Sequence, residues 1–542
     1  MIGGLEFGGA PSSRSAVATG SAPPGDSGGG GVDTAPRRGR LFPGEQRLPA
    51  PSDLGLAGAP ATSTPHPRGS GSTDVVAAEV LVRRGLYQDA GAVLPRQPPD
   101  NAPVARRTRW AVTAAAIHYW GAGDVEAACR VLGDVGGPVA EGHRAGFLLL
   151  DGCPRAALAA GEKVLCDRRV PDEAIPPAVT TVVVAASLVG RFDRAMAAID
   201  RARPARLGFA ELDYVHCFAL LVAGRVQQAR RMAEDGHRDA VAAGNVAAAA
   251  GWLTLRGQVA KARGDLATAI VDLKTASRLL EGYGMRLVLA QCLADLAAAR
   301  AVFGDRDGAR QTLRLTADWA PASRLFTPWF TLSQAWSTAA GGDTTLAARQ
   351  AGAAADRAMA SGQYAVEAVA RYDVARLGNP NAAQHRLAAL AGVVQGPVVP
   401  AMADAAAALA RSAPGALDAA TARFTELGMD LLATETATAS DALRRAAAPP
   451  GAAACPDATT PLLRLTAPLV ELTGRERDVA LLAAGGLTSP TIGHRLRLSA
   501  RTVDNYLSRA YQKLGVTSRR DLAPLVIGGQ PPPPIHARGE HR

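Results

Sequence analysis

The chain has 542 residues, a net charge of +10 at neutral pH and a hydrophobic fraction of 48%, which is enough for two to four domains with a sizeable core. The positive balance suits a nucleic-acid partner without requiring one. The first 30 residues hold no apolar segment of the kind that a secretory signal needs, and the longest apolar runs, such as residues 179–189, are shorter than the roughly 20 residues of a membrane helix. We therefore predict a cytoplasmic protein that makes no membrane contact.

Cysteine and histidine are placed without any recognisable site pattern. The six cysteines form no CxxC pair and lie in apolar helical contexts, and the nine histidines are scattered. This predicts buried thiols rather than a metal site or a disulfide framework. No nucleophile elbow is present either, so we predict no catalytic site, no bound metal and no cofactor.

Residues 1–73 are of low complexity, rich in Gly, Ser and Pro, with a small basic group around Arg38. Such a composition cannot bury enough apolar surface to offset the entropy of the chain, so we predict a disordered segment. A basic arm that tracks DNA and a mis-assigned start codon are the alternatives.

Residues 74–445 are predicted to be all-helical and repetitive. A glycine recurs with an alanine five residues later, after one apolar helix and at the start of a second. In a helix-turn-helix repeat the glycine ends the first helix, and the small alanine lets the second helix pack closely against it. The pairs are Gly85/Ala90, Gly123/Ala128, Gly152/Ala157, Gly190/Ala195, Gly224/Ala229, Gly264/Ala269, Gly304/Ala309 and Gly342/Ala347.

The successive pairs are spaced by 38, 29, 38, 34, 40, 40 and 38 residues, and weaker echoes follow at Gly378/Ala383 and Gly415/Ala420. Because the chain is rich in alanine, a single Gly/Ala pair means little. The evidence for a repeat is the regular spacing of the pairs. The region resembles a degenerate tetratricopeptide-like solenoid, whose concave face is the natural partner surface.

Two further segments are predicted to lack a fold of their own. Residues 446–468 contain five prolines and read as a linker that lets the following unit move semi-independently. Residues 528–542 read as a disordered tail.

The sequence of residues 469–527 predicts four short helices, with a capping or helix-ending residue at nearly every boundary. Thr473 and Glu476 have the spacing of a capping box, and Thr488 precedes a proline in the first turn of the next helix. The third helix, residues 499–514, carries exposed Arg, Asn and Ser side chains after a tight turn, the arrangement of a helix-turn-helix unit for the major groove. The remaining boundaries are marked by Gly485, Gly486, Ser499, Gly515, Ser518 and Asp521.

The third helix has one apolar and one polar face. Helical spacing places Val503, Leu507, Ala510 and Leu514 in one stripe, and we predict that Val479, Leu482, Ile492, Leu496 and Leu498 complete a small core. The opposite face presents Arg501, Asp504, Asn505, Ser508, Arg509 and Gln512. Taken alone, a solvated surface explains such a face equally well.

The same stretch closely resembles the DNA-binding domain of LuxR-type (NarL-like) transcriptional regulators. The resemblance rests on LTGRERDV, GLT, IGHRLRLS, TVDNY and KLGV, and it covers all four predicted helices. It implies a domain that binds double-stranded DNA as a homodimer, pairing through the last helix around residues 521–526. The two half-sites would then lie about one helical turn apart.

By this resemblance, Asp504, Asn505 and Ser508 occupy positions that meet base edges, and Arg501, Thr502 and Arg509 occupy positions suited to the DNA backbone. Lys513 belongs to the same DNA-binding set. Asn can read adenine and Asp can accept from cytosine. One residue departs from the pattern: Asp504 stands where many members carry Lys, which weakens non-specific attraction to DNA.

The segments YDVARLGNPNAAQHRLAALAGVVQGPVVP and RFTELGMDLLATETA resemble the stretch before the DNA-binding domain in large ATPase-linked LuxR regulators. Those regulators carry a phosphate-binding GxxxxGK[ST] loop, and no such motif occurs in this sequence. There is also no room before the solenoid for the α/β receiver domain of a response regulator.

The sequence therefore predicts a non-enzymatic, sequence-specific transcriptional regulator whose repeat domain senses a partner or effector. One alternative is a helical-repeat interaction scaffold with a vestigial DNA-binding unit. Another is an ATP-driven switch with an unrecognised nucleotide site.

Overall fold

The computed structural model describes residues 71–98, 101–167, 170–202, 210–283, 285–319, 323–444, 460, 472–514, 519 and 522. Within these ranges the chain forms helices and no strand, which confirms the predicted all-α fold. The segments predicted to be disordered, apart from the first residues of the first helix, and nearly all of the predicted linker lie outside the described residues.

The first and larger part of the described chain consists of helices joined by short turns. In chain order they are α1 (Gly71–Arg83), α2 (Tyr87–Val93), α3 (Val104–Ala116), α4 (Val125–Val135), α5 (Gly137–Leu150), α6 (Pro154–Cys166), α7 (Ile175–Val189), α8 (Phe192–Ala202), α9 (Ala210–Val222), α10 (Val226–Ala242), α11 (Val246–Arg263), α12 (Leu266–Gly282), α13 (Arg286–Phe303), α14 (Arg306–Trp319), α15 (Thr327–Ala340), α16 (Thr344–Ser361), α17 (Tyr364–Arg376), α18 (Pro380–Ala391), α19 (Val398–Ala410), α20 (Pro414–Glu426) and α21 (Asp430–Arg444).

The Gly/Ala pairs mark the turns of this array. All eight glycines of the regular series, and Gly378 after them, have a positive φ between helices, where a residue without Cβ is favoured. Their alanine partners are all 0% exposed. At the last predicted pair the register differs, because Gly415 lies inside α20 and Ser412 takes the left-handed conformation instead. The helix-turn-helix repeat is therefore confirmed.

The helices form two layers. Each odd-numbered helix from α1 to α17 packs against the next odd-numbered helix, while each even-numbered helix packs mainly on its neighbours in sequence. The odd helices α7, α11, α13 and α17 are buried on nearly all sides, as expected for helices that are apolar around their circumference. The array is thus a solenoid with an inner layer of odd helices and an outer layer of even ones.

The solenoid winds far enough for distant repeats to touch. Helix α7 contacts α17, and α11 contacts α21. The Gln395 amide N–H donates to the Gly190 carbonyl at 2.8 Å, and the Gln395 side-chain oxygen accepts from the Asp193 amide N–H at 2.9 Å. Distant repeats therefore meet across the inner layer.

One segment, Asp172–Val189, is long and apolar enough to cross a membrane on length and composition alone, although 72% of it is buried inside the protein. It includes α7, which packs against α5, α6, α8 and α9. Its apolar character is explained by this central position in the core.

The cysteines differ from the prediction of buried thiols. Cys217 and Cys292 are buried, but Cys153 and Cys166 are exposed and Cys129 is half-buried. The two exposed thiols lie at the ends of α6, where the helix leaves the core. Among the described residues no cluster of His, Cys, Asp and Glu could hold a metal ion.

The C-terminal unit consists of α22 (Gly474–Ala484), α23 (Ser489–Leu496) and α24 (Ala500–Leu514). It has a core of its own, separate from those of the repeats. The predicted fourth helix lies outside the described residues except for Arg519 and Leu522.

Candidate nucleic-acid interface

The predicted boundary signals position α22, α23 and α24. Thr473 and Glu476 form the predicted capping box: the Thr473 amide N–H donates to Glu476 Oε2 at 2.8 Å, and Thr473 Oγ1 accepts from the Glu476 amide N–H. Thr488 caps α23 by accepting from the Thr491 amide N–H. Ser499 Oγ accepts from the Thr502 amide N–H at 3.0 Å and caps α24. These caps satisfy donors that the first turn of each helix leaves unpaired.

The turn between α23 and α24 is tight because the backbone passes close to Gly493. A Cβ atom at Gly493 would stand 2.6 Å from the carbonyl oxygen of Leu498. Arg497 adopts a left-handed conformation with φ of 54°, and the Leu498 amide N–H donates to the Gly493 carbonyl at 2.8 Å. A small residue at 493 therefore sets the angle between the two helices.

The predicted apolar residues pack into one core. Val503, Leu507 and Ala510 of α24 are buried, and Leu498 is partly buried beside them. The side chain of Leu514 lies outside the described residues. The other predicted core positions are also buried, namely Val479, Leu482, Ile492 and Leu496. Burial of this stripe fixes which face of α24 is presented to solvent.

The opposite face of α24 is exposed. Asp504, Asn505, Ser508 and Arg509 are exposed along it, and Thr502 is half-buried at its start. Arg501 and Gln512 are exposed on this face as well. The side chain of Lys513, also predicted to contact DNA, lies outside the described residues. The exposed side chains of Asp504, Asn505, Ser508 and Arg509 make no hydrogen bond or ion pair with another described residue, so their polar groups are available to a partner.

One residue that sequence reasoning missed supports this unit. The Arg519 guanidinium donates to the Leu487 carbonyl and to Ser489 Oγ, both at 2.9 Å. It thereby ties the chain after α24 to the start of α23. Only the three-dimensional arrangement identifies this role, because an arginine 30 residues away from its partner carries no local signal.

The C-terminal unit also rests on the repeat domain. Thr344 Oγ1 at the start of α16 donates to Asp478 Oδ1 of α22, and both residues are buried. A Cβ at Gly342 would stand 3.2 Å from Leu482 Cδ2, and Leu409 of α19 packs against the core of the C-terminal unit. The contact is made by α22, so it leaves the polar face of α24 exposed.

Burial at this contact and, to a smaller extent, nearby Asp343 raise the pKa of the Asp478 carboxyl from 3.8 to about 6. The Thr344 hydrogen bond, Arg475 and Arg477 act in the opposite direction. A carboxyl with a raised pKa binds its proton more tightly in the folded state than in the unfolded chain. The stability of the contact should therefore fall as the pH rises from about 4 to about 6 and stay low above that range.

Asp478→Asn is expected to remove this pH dependence, because the amide has nearly the same shape and does not ionise. Hydrogen exchange of α22, compared between wild type and variant at about pH 4.5 and about pH 7.5, measures the effect. The wild type should lose protection of α22 at the higher pH relative to the variant. If wild type and variant differed in the protection of α22 by the same amount at both pH values, the pH dependence would not come from Asp478.

Comparison with known proteins agrees with the sequence-based resemblance. Residues 470–526 match the family described as "Bacterial regulatory proteins, luxR family". The C-terminal unit is therefore a LuxR-family helix-turn-helix domain, as predicted. No curated protein matches the chain.

Several solved structures match the chain at low similarity. A Rap protein complexed with competence and sporulation factor is 12% identical, with a TM-score of 0.44 over 60% of this chain and 98% of that chain. Aspartyl phosphate phosphatase F from Bacillus subtilis is 12% identical, with a TM-score of 0.37 over 61% and 96%. The APC/C hetero-tetramer Cut9–Hcn1 is 11% identical, with a TM-score of 0.42 over 82% and 83%. Similarities this low carry no information about function.

Proposed function

We propose that this protein, with its LuxR-family domain at the C-terminus, is a non-enzymatic, sequence-specific transcriptional regulator of the cytoplasm. In this proposal α24 enters the major groove of double-stranded DNA, and the repeat domain senses a partner or effector. The observation that supports it most directly is the exposed face of α24, whose polar groups have no partner among the described residues while its opposite face is locked into a core.

The chemistry of this face suits both base readout and backbone contact. Asn505 can pair bidentately with adenine, Asp504 can accept from the cytosine amino group, and Ser508 can bond to several base edges. Arg501, Thr502, Arg509 and Lys513 are suited to phosphate contacts, which fix the register and make affinity depend on salt.

Pairing of two copies is part of the proposal. A single module of this size buries only about 600–1,000 Å² on DNA, which is little for tight and selective binding. A homodimer on two half-sites about one helical turn apart would double the contact. Because α22 rather than α24 touches the repeat domain, DNA could be bound without breaking that contact.

Selection from a random or genomic DNA pool with the full chain tests the proposal. We expect enrichment of one roughly palindromic site. No enrichment by a folded protein would contradict the regulator and favour the interaction-scaffold alternative.

Asn505→Ala is expected to relax sequence preference, with a loss of about 1–3 kcal/mol on the selected site for the bidentate contact removed. Competition binding with the selected duplex and a scrambled duplex measures it. Equal losses of affinity on both duplexes would show that Asn505 does not read a base.

Arg509→Ala is expected to lower affinity on every sequence and to flatten the slope of log affinity against log salt by about one unit. The measurement is a salt titration of fluorescence anisotropy with a labelled duplex. Arg238→Ala is the matched control, because Arg238 is exposed on α10 of the repeat domain. An unchanged slope for the Arg509 variant would show that Arg509 does not contact a phosphate.

A further inference from the structure

A cavity of about 270 Å³ lies in the inner layer of the repeat domain. Its walls come mainly from the odd-numbered helices α9 to α21, with Leu266 at the start of α12. A second cavity of about 80 Å³ adjoins it, and both are lined by Phe218, Gln258, Gln291 and Trp329. Together they form one elongated space of about the size of small-molecule sites.

Contacts between distant repeats bring the two sides of the inner layer together beside this space. The hydrogen bond between Gln395 and Gly190 joins the loop after α18 to the end of α7. A Cβ at Gly396 would stand 2.6 Å from the carbonyl oxygen of Ala223, so the backbones meet closely there. The cavity stays partly open to solvent, since Val369 in its wall is 41% exposed, and a small molecule can enter it.

The walls are mainly apolar and aromatic. Trp329 and Trp336 of α15 face the cavity together with Phe218, and Tyr372 lines it from α17. Such walls gain free energy by covering apolar ligand surface, at about 25 cal/mol per Å² removed from water.

Both cations of the cavity are already paired with carboxylates. Asp295 accepts from Lys261 and from the Gln258 amide. Arg376 donates to Asp373 and, through two hydrogen bonds of 2.7 Å, to Glu435. Because neither cation is free, an anionic ligand would be buried without a counter-ion, which is strongly unfavourable.

One uncharged polar group of the wall remains unused. The Gln291 side chain is half-buried and makes no hydrogen bond to another described residue. Its amide can donate to a ligand carbonyl oxygen and accept from a ligand hydroxyl, so a ligand that carries such a group would be favoured.

We propose that this cavity binds an elongated and largely apolar small molecule that carries no negative charge and has one or two carbonyl or hydroxyl groups. The ligand acts as the effector of the regulator, so this inference rests on the proposed function and names the chemistry that the repeat domain senses.

The same helices that line the cavity carry the DNA-binding unit. Helix α15 contributes Trp336 to the wall, and Gly342 in the turn after it lies close to Leu482 of α22. Helix α19 contributes Met402 to the wall and packs Leu409 against the C-terminal core. A ligand in the cavity therefore contacts the same helices that hold the DNA-binding unit against the repeat domain.

The test uses two fluorescent probes with the same aromatic core and the full chain. N-phenyl-1-naphthylamine is uncharged, and 8-anilinonaphthalene-1-sulfonate differs by one sulfonate. The uncharged probe should bind at least about tenfold more tightly than the sulfonate. Equal affinity for both would overturn the exclusion of anionic ligands.

Val369→Trp locates the bound probe. Val369 lines the cavity and is 41% exposed, so an indole there obstructs the cavity without overpacking the core. It should weaken binding of the uncharged probe about tenfold or more. Val271→Trp, on the exposed outer face of α12, is the matched control and should bind as the wild type does. Ala298→Leu narrows the cavity from α13 and provides a second obstruction. Unchanged binding in both obstructed variants would refute the site.

DNA binding is measured in parallel on the same proteins. If the probes behave as expected and no DNA site is found, the ligand site stands and the proposed function fails. If a DNA site is found and the obstructed variants bind the probe normally, the proposed function stands and the ligand site fails.

Discussion

Arg376→Met is expected to destabilise the repeat domain by about 3–5 kcal/mol, the range found when one partner of a buried ion pair is removed. Arg376 is 8% exposed, donates to Asp373 and Glu435, and lies 4.4 Å from the ring centre of Trp336. Methionine fills much of the volume but leaves two buried carboxylates without their counter-ion. Chemical unfolding of the two proteins at neutral pH measures the loss.

The loss should depend on pH. Burial raises the pKa of the Asp373 carboxyl, and Arg376 opposes that rise. Without Arg376 the Asp373 carboxyl binds its proton more tightly in the folded state than in the unfolded one. The free energy of unfolding of the variant should therefore fall, relative to the wild type, as the pH rises. Arg238→Met removes an exposed pair with Asp235 and should have little effect. Similar losses in the two variants would show that the Arg376 network is not buried in solution.

Val503→Asp is expected to unfold the C-terminal unit and abolish DNA binding. Val503 is 0% exposed in the small core of α22, α23 and α24. An uncompensated buried charge costs about 3–5 kcal/mol, and a unit of this size has only a few kcal/mol of stability of its own. Hydrogen exchange should show loss of protection in these three helices and normal protection in the repeats.

Val503→Ala is the control for this substitution. It removes two methyl groups but introduces no charge, so the unit should stay folded and bind DNA. A Val503→Asp protein that binds the selected site as the wild type does would overturn the assignment of Val503 to the core, and with it the assignment of the exposed face.

The helix boundaries could be predicted because their causes are local. Thr473 and Glu476 lie three residues apart, and a cap needs only that spacing and the right side chains. The repeat glycines were found for the same reason, since a left-handed residue between two helices excludes most side chains. The prediction was wrong at the last turn. The repeat spacing placed the left-handed residue at Gly415, but Ser412 adopts that conformation instead.

The exposed face of α24 was predictable too, since helical periodicity separates Val503 and Leu507 from Asn505 and Arg509. Recognition of that face as a DNA-binding surface required the family resemblance. The exposed thiols at the ends of α6 were missed because an apolar local context does not report where a helix leaves the core.

The sequence by itself determined the repeat, the turns, the caps and the amphipathic faces of this protein, because each depends on backbone sterics or side-chain spacing within one or two turns of chain. Only the tertiary structure decided the cavity of the inner layer, the Arg376–Glu435 pair across 59 residues and the Thr344–Asp478 contact across 134. These depend on the small rotation between successive repeats, which accumulates along the solenoid and brings distant helices together. The spacing of residues in the sequence does not give this accumulated rotation.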